Sequence, residues 1–262
     1  MESSFIKKIE YNVNKKINLI DNNILSYIIR SILAGGFLTI TTLAGVYFAD
    51  GINSVGNYGK PFYAFIFAFG LVYILFLGGE LATSNMMYLS AGLYLKKIKL
   101  NKVIKILFVC ILFNLFGAII FALLINQTSI ISHMAENSTL INIVSVKINT
   151  GMQEVLFSSI LANIIVNIAI LGYLLINESI TKTIFVLSAI FMFVLLGMEH
   201  VVANFGSFSM ILFSKFANKI DNFEMLNILC HWIISFIGNL IGGGLLGLIY
   251  AYMNNQDTIY KD

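Results

Sequence analysis

Two segments of the 262-residue chain place carboxylates, amides and an imidazole inside long apolar runs. The first reads Gly78-Gly79-Glu80-Leu81-Ala82-Thr83-Ser84-Asn85, and the second Gly197-Met198-Glu199-His200-Val201-Val202-Ala203-Asn204. Both follow one pattern: G-x-E, four residues, then N. Polar side chains at such depth are costly unless they face protein or a water-filled path. Non-helical backbone there must also have its N–H and C=O groups satisfied internally. The segments therefore read as helix breaks. Thr83, Ser84 and Asn85 can cap a half-helix beginning near Met86, and Ser207 or Ser209 one beginning near Met210. Two such half-helices would point positive dipole ends inward, which favours anions over cations.

The individual residues divide by symmetry. Glu80 and Glu199 hold matched positions, and as pore-lining charges they would oppose an anion. They read as structural anchors that tie down the backbone of each break, together with Asn85 and Asn204. His200 stands where the other half has Leu81, so symmetry is broken at this one site. That makes His200 the first functional candidate, because imidazole titrates near neutral pH; Thr83 can face it with a hydroxyl. Phe193 lies two helical turns before His200 on the same face. Phe67 and Leu71 are one turn apart ahead of the other break. Such apolar side chains are either packing or a dry constriction, and spacing does not separate the two. Lys147 reads as a solvated loop lysine, with a vestibule cation as the sharper alternative. His133 and His231 have no partner motif and receive no role. Cys110 and Cys230 fall near opposite ends of their spans, too far apart for a disulfide.

These residues need apolar elements to carry them. The chain is 58% hydrophobic and 11% charged, whereas a soluble domain keeps about a quarter of its residues charged. A single-domain soluble enzyme, a disordered chain and a collagen-like chain are excluded. Six candidate spans emerge at 31–50, 62–95, 106–126, 154–176, 184–213 and 226–253, since a membrane helix needs about 20 apolar residues. The second and fifth are too long for simple spans and contain the breaks. Continuous rather than alternating apolar runs argue against a β-barrel.

Short motifs recur in the same order. Ser31-Ile32-Leu33-Ala34 returns as Ser159-Ile160-Leu161-Ala162, and Asn114-Leu115-Phe116-Gly117 as Asn239-Leu240-Ile241-Gly242. With the two breaks, the offsets are 128, 119 and 125 residues. The expected fold is all-α and integral to the membrane, with six transmembrane helices in two repeats, about 31–126 and 154–253. Three spans per repeat make the second enter upside down, around an axis in the membrane plane. Residues 1–30 form a separate amphipathic segment, with Phe5, Ile9, Val13, Ile17, Ile20 and Ile24 on one helical stripe that would lie on the membrane surface. They are too polar for a signal peptide. Residues 254–262 form a tail. Twelve of the 16 Lys and Arg residues fall on the side of the termini, which places both termini in the cytoplasm. The charge balance thus reflects topology, and nucleic acid is not an expected partner. Four glycines at 242, 243, 244 and 247 predict close helix approach in the last span.

Rival functions lack their motifs. The nucleophile turn of an intramembrane serine protease and a Walker phosphate loop are both missing, so no catalytic residue, metal or cofactor is expected. A water channel would want Asn-Pro-Ala at both half-helices, but the sole proline is Pro61.

The two breaks, Lys147 followed by Glu154, Ile160-Leu161-Ala162-Asn163, and the step from Phe193 to His200 resemble the formate/nitrite transporter family. The resemblance spans roughly 28–253. It implies an aquaporin-like protomer, a homopentamer in a bacterial plasma membrane, and passage of small monovalent weak-acid anions. It further implies a central pore at Leu81, Thr83 and His200, and an outer constriction at Phe67 and Phe193. Leu71 and Val166 would lie on the inner side with Asn163 nearby, and Lys147 would sit in the vestibule. Ala82 departs from the Phe usual in formate and nitrite members, and the segment after Asn204 lacks the usual Met- and Pro-containing stretch. Both departures make the chain most similar to the clostridial hydrosulfide channels.

Overall fold

A computed structural model of the chain describes residues 4–53, 56 and 58–256. Among the described residues the elements are all helical: α1 (Ser4–Asn22), α2 (Ile24–Asn53), α3 (Gly59–Phe76), α4 (Ala82–Tyr94), α5 (Leu100–Asn126), α6 (Ser129–Ser132), α7 (Thr139–Asn149), α8 (Met152–Leu175), α9 (Ser179–Leu195), α10 (Val201–Leu212) and α11 (Met225–Gln256), with one 3₁₀ turn at Ala217–Lys219. Five of them (α2, α3, α5, α8 and α11) are long and apolar enough to cross a membrane. Their outward faces carry bare apolar side chains such as Phe108, Leu124, Phe157 and Ile233. A surface of that kind suits lipid rather than water.

The second and fifth apolar stretches each fold as two helices, α3 with α4 across residues 77–81 and α9 with α10 across 196–200. Each break contains a glycine in the left-handed region, Gly78 at φ +71° and Gly197 at φ +72°, where a Cβ would be strained. The half-helices begin earlier than the hydroxyl residues predict, at Ala82 and Val201 rather than near Met86 and Met210. The N–H groups of Ala82 and Val201 are not met by local caps. The side-chain oxygens of Asn114 and Asn239 take them, each at 2.9 Å.

Close helix crossings bring those asparagines into range. α2 packs along α5, and α8 along α11. A Cβ on Gly117 would lie 2.0 Å from the Ile32 carbonyl oxygen, and one on Gly242 would lie 2.1 Å from that of Ile160. Any larger side chain would push these helix pairs apart. Gly243 and Gly247 are similarly confined, whereas Gly244 meets nothing within 4 Å.

The N-terminal stripe departs from its expected setting. Phe5, Ile9, Val13 and Ile20 are buried, because α1 packs against α2, α4, α5, α8 and α11 of its own chain. A membrane surface is thus not what covers the stripe. α2 also starts at Ile24, ahead of the predicted span, and leaves Ile24 itself exposed. Lys147, expected in a loop, sits in the last turn of α7. Cys110 is buried and Cys230 exposed, and both are free thiols. The predicted tail lies outside the described residues from 257 onward.

Candidate functional site

Each break is held by the same small set of groups. Glu80 Oε2 accepts from Asn85 Nδ2 at 3.2 Å, and Glu199 Oε2 from Asn204 Nδ2 at 2.7 Å. Asn114 Nδ2 donates to the Glu80 carbonyl at 2.9 Å and to that of Ser31 at 2.8 Å. Asn239 Nδ2 donates to the Glu199 carbonyl at 3.0 Å and to that of Ser159 at 2.8 Å. Backbone groups freed by the breaks therefore find partners inside the protein, as a dry setting demands. Asn114 and Asn239 were visible in the sequence only as repeat markers.

A lysine completes each carboxylate. Lys147 Nζ lies 2.6 Å from Glu199 Oε2, and Lys16 Nζ lies 2.6 Å from Glu80 Oε2. Lys147 is thus neither a free loop lysine nor a bare vestibule cation. Lys16 was missed by sequence reasoning, which counted it among the charges that orient the chain. It is 5% exposed, and a lysine so buried requires a paired anion. With a lysine and an asparagine on each, the two carboxylates add no net negative charge to the space between the breaks.

Between the two breaks, Thr83 and His200 meet. Thr83 Oγ1 is 2.8 Å from His200 Nε2, joining α4 to the start of α10. His200 is also the N-cap of α10, its Nδ1 accepting from the Ala203 N–H at 3.2 Å. Since Nδ1 accepts, the ring proton sits on Nε2, and the imidazole is neutral. Nε2–H then donates to the Thr83 oxygen, which leaves the threonine hydroxyl proton free to donate onward. The Thr83 carbonyl is itself fixed by α8: Asn163 Nδ2 and Asn167 Nδ2 each reach it at 3.2 Å. Asn163 also donates to the Asn239 carbonyl at 2.6 Å. Asn167, one turn further along, was not singled out in the sequence.

Apolar groups surround this polar pair. The Phe193 ring lies 5.9 Å from the His200 ring, and the Phe67 ring 6.1 Å from that of Phe193. Phe67, Leu71, Leu81, Phe193 and Val166 are all at most 3% exposed, and Ala82 is fully buried. Water has almost no access here, so a hydrogen-bond donor in this position counts for more than it would in water. His231, given no role from sequence, lies beside Glu199 at 3.7 Å. Among the described residues no group of three or more His, Cys, Asp or Glu side chains is placed to hold a metal ion.

A multi-pass helical chain with two broken helices meeting at a buried polar pair is the architecture of a membrane transport protein. The formate/nitrite transporter family model matches residues 3–253, and the chain belongs to that family. It is 27% identical over 259 residues to an uncharacterized transporter, YwcJ, of Bacillus subtilis (strain 168), covering 97% of this chain and 99% of the relative. It is 25% identical over 236 residues to the formate channel BtFdhC of Bacillus thuringiensis, covering 89% of each. Two solved structures share the fold. One described as an FNT family ion channel aligns at TM-score 0.84 and 22% identity over 95% of this chain and 98% of its own. A pentameric formate channel with formate bound aligns at 0.73 and 18%, over 87% and 96%. The family and these neighbours are transporters and channels, not enzymes.

Proposed function

We propose that this protein is a membrane channel for small monovalent weak-acid anions, with hydrosulfide as the foremost substrate. The protomer would have six spans in two inverted three-helix repeats and assemble as a homopentamer with one pore per protomer. The observation that carries the reading is the Thr83–His200 bridge at 2.8 Å, set between apolar rings and between two half-helix starts.

The chemistry follows from the energetics of a dry path. Losing hydration costs an anion several kcal/mol even after relaxation. The N-terminal ends of α4 and α10 lower that cost at the approach, and the lysine partners stop Glu80 and Glu199 from raising it. At the centre a neutral His200 cannot hold a charge for the anion. It orients Thr83 instead, whose hydroxyl donates to the passing oxygen or sulfur atom. A weak acid suits this path because it can take up a proton at the mouth and cross the apolar rings without net charge. Phe67 and Phe193 would form the outer ring, with Leu81 at the centre beside Thr83 and His200, and Leu71 and Val166 toward the inner side.

Ala82 favours hydrosulfide. Its small side chain leaves more room beside Leu81 than the Phe usual in formate and nitrite members. The formate or nitrite reading is favoured in turn by the relative from Bacillus thuringiensis, itself a formate channel. Proteoliposome flux of hydrosulfide, formate and nitrite at two pH values separates them. Hydrosulfide-led flux is expected. Formate-led flux would overturn the substrate while keeping the channel, and no flux of any of the three would overturn both.

A further inference from the structure

The pseudo-symmetry of the two breaks fails at one buried group besides His200. His231 of α11 is fully buried. Its Nε2 has no hydrogen-bond partner and lies 3.7 Å from Glu199 Oε2, just beyond bonding distance. Nδ1 is 3.5 Å from Ser235 Oγ, and the Phe208 ring at 5.1 Å limits how the imidazole can tilt. The same offset that relates Asn114 to Asn239 puts Ile106 at the matching place in the other half. Ile106 is buried as well, so Glu80 has no titratable group from α5 behind it at that position. A buried ring nitrogen left unpaired costs free energy, and here it is aimed at a carboxylate.

We propose that His231 is a positioning residue of the second break, acting through Glu199 on Lys147 to make anion entry sensitive to pH on the Lys147 side. Glu199 Oε2 already serves Lys147 at 2.6 Å and Asn204 at 2.7 Å. A proton on His231 turns the 3.7 Å approach into a charge-assisted bond to that same oxygen. Three donors then compete for one atom, and Lys147, the partner least buried, is released toward the path. Its charge, previously cancelled by Glu199, becomes available to an arriving anion. The charged groups within electrostatic reach of His231 are Glu199 from the break and Lys147 from α7; α10 faces it with the uncharged Phe208. The inference rests on the anion-channel reading and adds a means of regulation to it.

The test is formate and hydrosulfide influx into proteoliposomes of the full chain, with internal pH clamped and pH on the Lys147 side set to 7.5 or 4.0. Each protein is normalised to its own flux at 7.5, so that titration of the substrate cancels between variants. His231→Gln keeps a polar side chain that does not titrate, and His231→Ile copies the other half. The wild-type gain on acidification should exceed that of both variants by about fivefold, the low end of typical coupling between sites. Equal gains would overturn the inference while leaving the channel intact, and no wild-type flux would overturn the channel reading and this inference together. Should neither variant assemble, histidine ¹⁵N spectra of a His133→Gln chain decide. The imidazole in contact with Phe208 must gain a proton between pH 7.5 and 4.0, and a ring that stays neutral overturns the proposal.

Discussion

Thr83 and His200 come from different halves of the chain and share one hydrogen bond of 2.8 Å. His200 does two things with its two nitrogens: Nδ1 caps α10 and Nε2 orients the threonine. Removing the ring should therefore cost both stability and flux. His200→Ala is expected to lose about 1 kcal/mol for the missing cap, read as a lower unfolding temperature in detergent. In liposomes it should lose flux by a larger factor than that stability loss explains. Full flux with an unchanged pH profile would rule His200 out of the path. His200 stands out in the sequence because Leu81 occupies the matched site. Its capping role does not, since serine and threonine are the expected caps and the sequence search went to Ser207 and Ser209.

At the element scale the breaks depend on side chains contributed by distant helices. Asn114 and Asn239 each satisfy an N–H at a half-helix start and two carbonyls. Asn114→Leu or Asn239→Leu would leave those buried groups unpaired, at roughly 1–3 kcal/mol per group. The two variants should lower thermal stability by similar amounts, and a large loss in one with none in the other would contradict equivalent roles. Lys16 and Glu80 make a second case, with side chains 6% and 3% exposed. Breaking a buried pair from one side costs about 3–5 kcal/mol, because the surviving charge has no partner. Lys16→Met should therefore destabilise strongly, and the Lys16→Met/Glu80→Gln double variant should recover most of the loss. A double variant as unstable as the sum of its parts would show that the pair is not coupled. The breaks themselves were legible, since Gly, Glu and Asn stand out within apolar runs. The Lys16–Glu80 pair was hidden because a lysine in an amphipathic N-terminal segment reads as a solvated charge. A fainter signal was present: Lys16 lies 15 residues before Ser31, and Lys147 lies 12 before Ser159, each ahead of the same S-I-L-A motif.

Across the whole molecule, long apolar elements were legible from composition, while the covering of α1 was not. Hydrophobic periodicity reports that a stripe is buried but not whether lipid or protein buries it. The distribution of lysines predicts orientation independently of the fold. Asn137, ahead of α7, and Asn101, at the start of α5, are both exposed and should lie on opposite sides of the membrane. In a Cys230→Ser background, Asn137→Cys should react with an impermeant maleimide in intact cells, and Asn101→Cys only after permeabilisation. The reverse pattern would invert the protein. Orientation matters for function, since it decides which face presents Lys147 and which presents α1.

The central claim is that a neutral imidazole orients the Thr83 hydroxyl as the one polar step in a dry path. Side-by-side proteoliposome flux of wild type, Thr83→Ser and Thr83→Val measures it most directly, with hydrosulfide and formate as substrates. Thr83→Ser keeps the hydroxyl and should retain most of the flux. Thr83→Val keeps the shape without the donor and should lose about five- to thirtyfold, as expected where one hydrogen bond of about 1–2 kcal/mol is missing at the barrier. Equal flux through Thr83→Val and wild type would contradict the account, because the path would then need no donor at its centre.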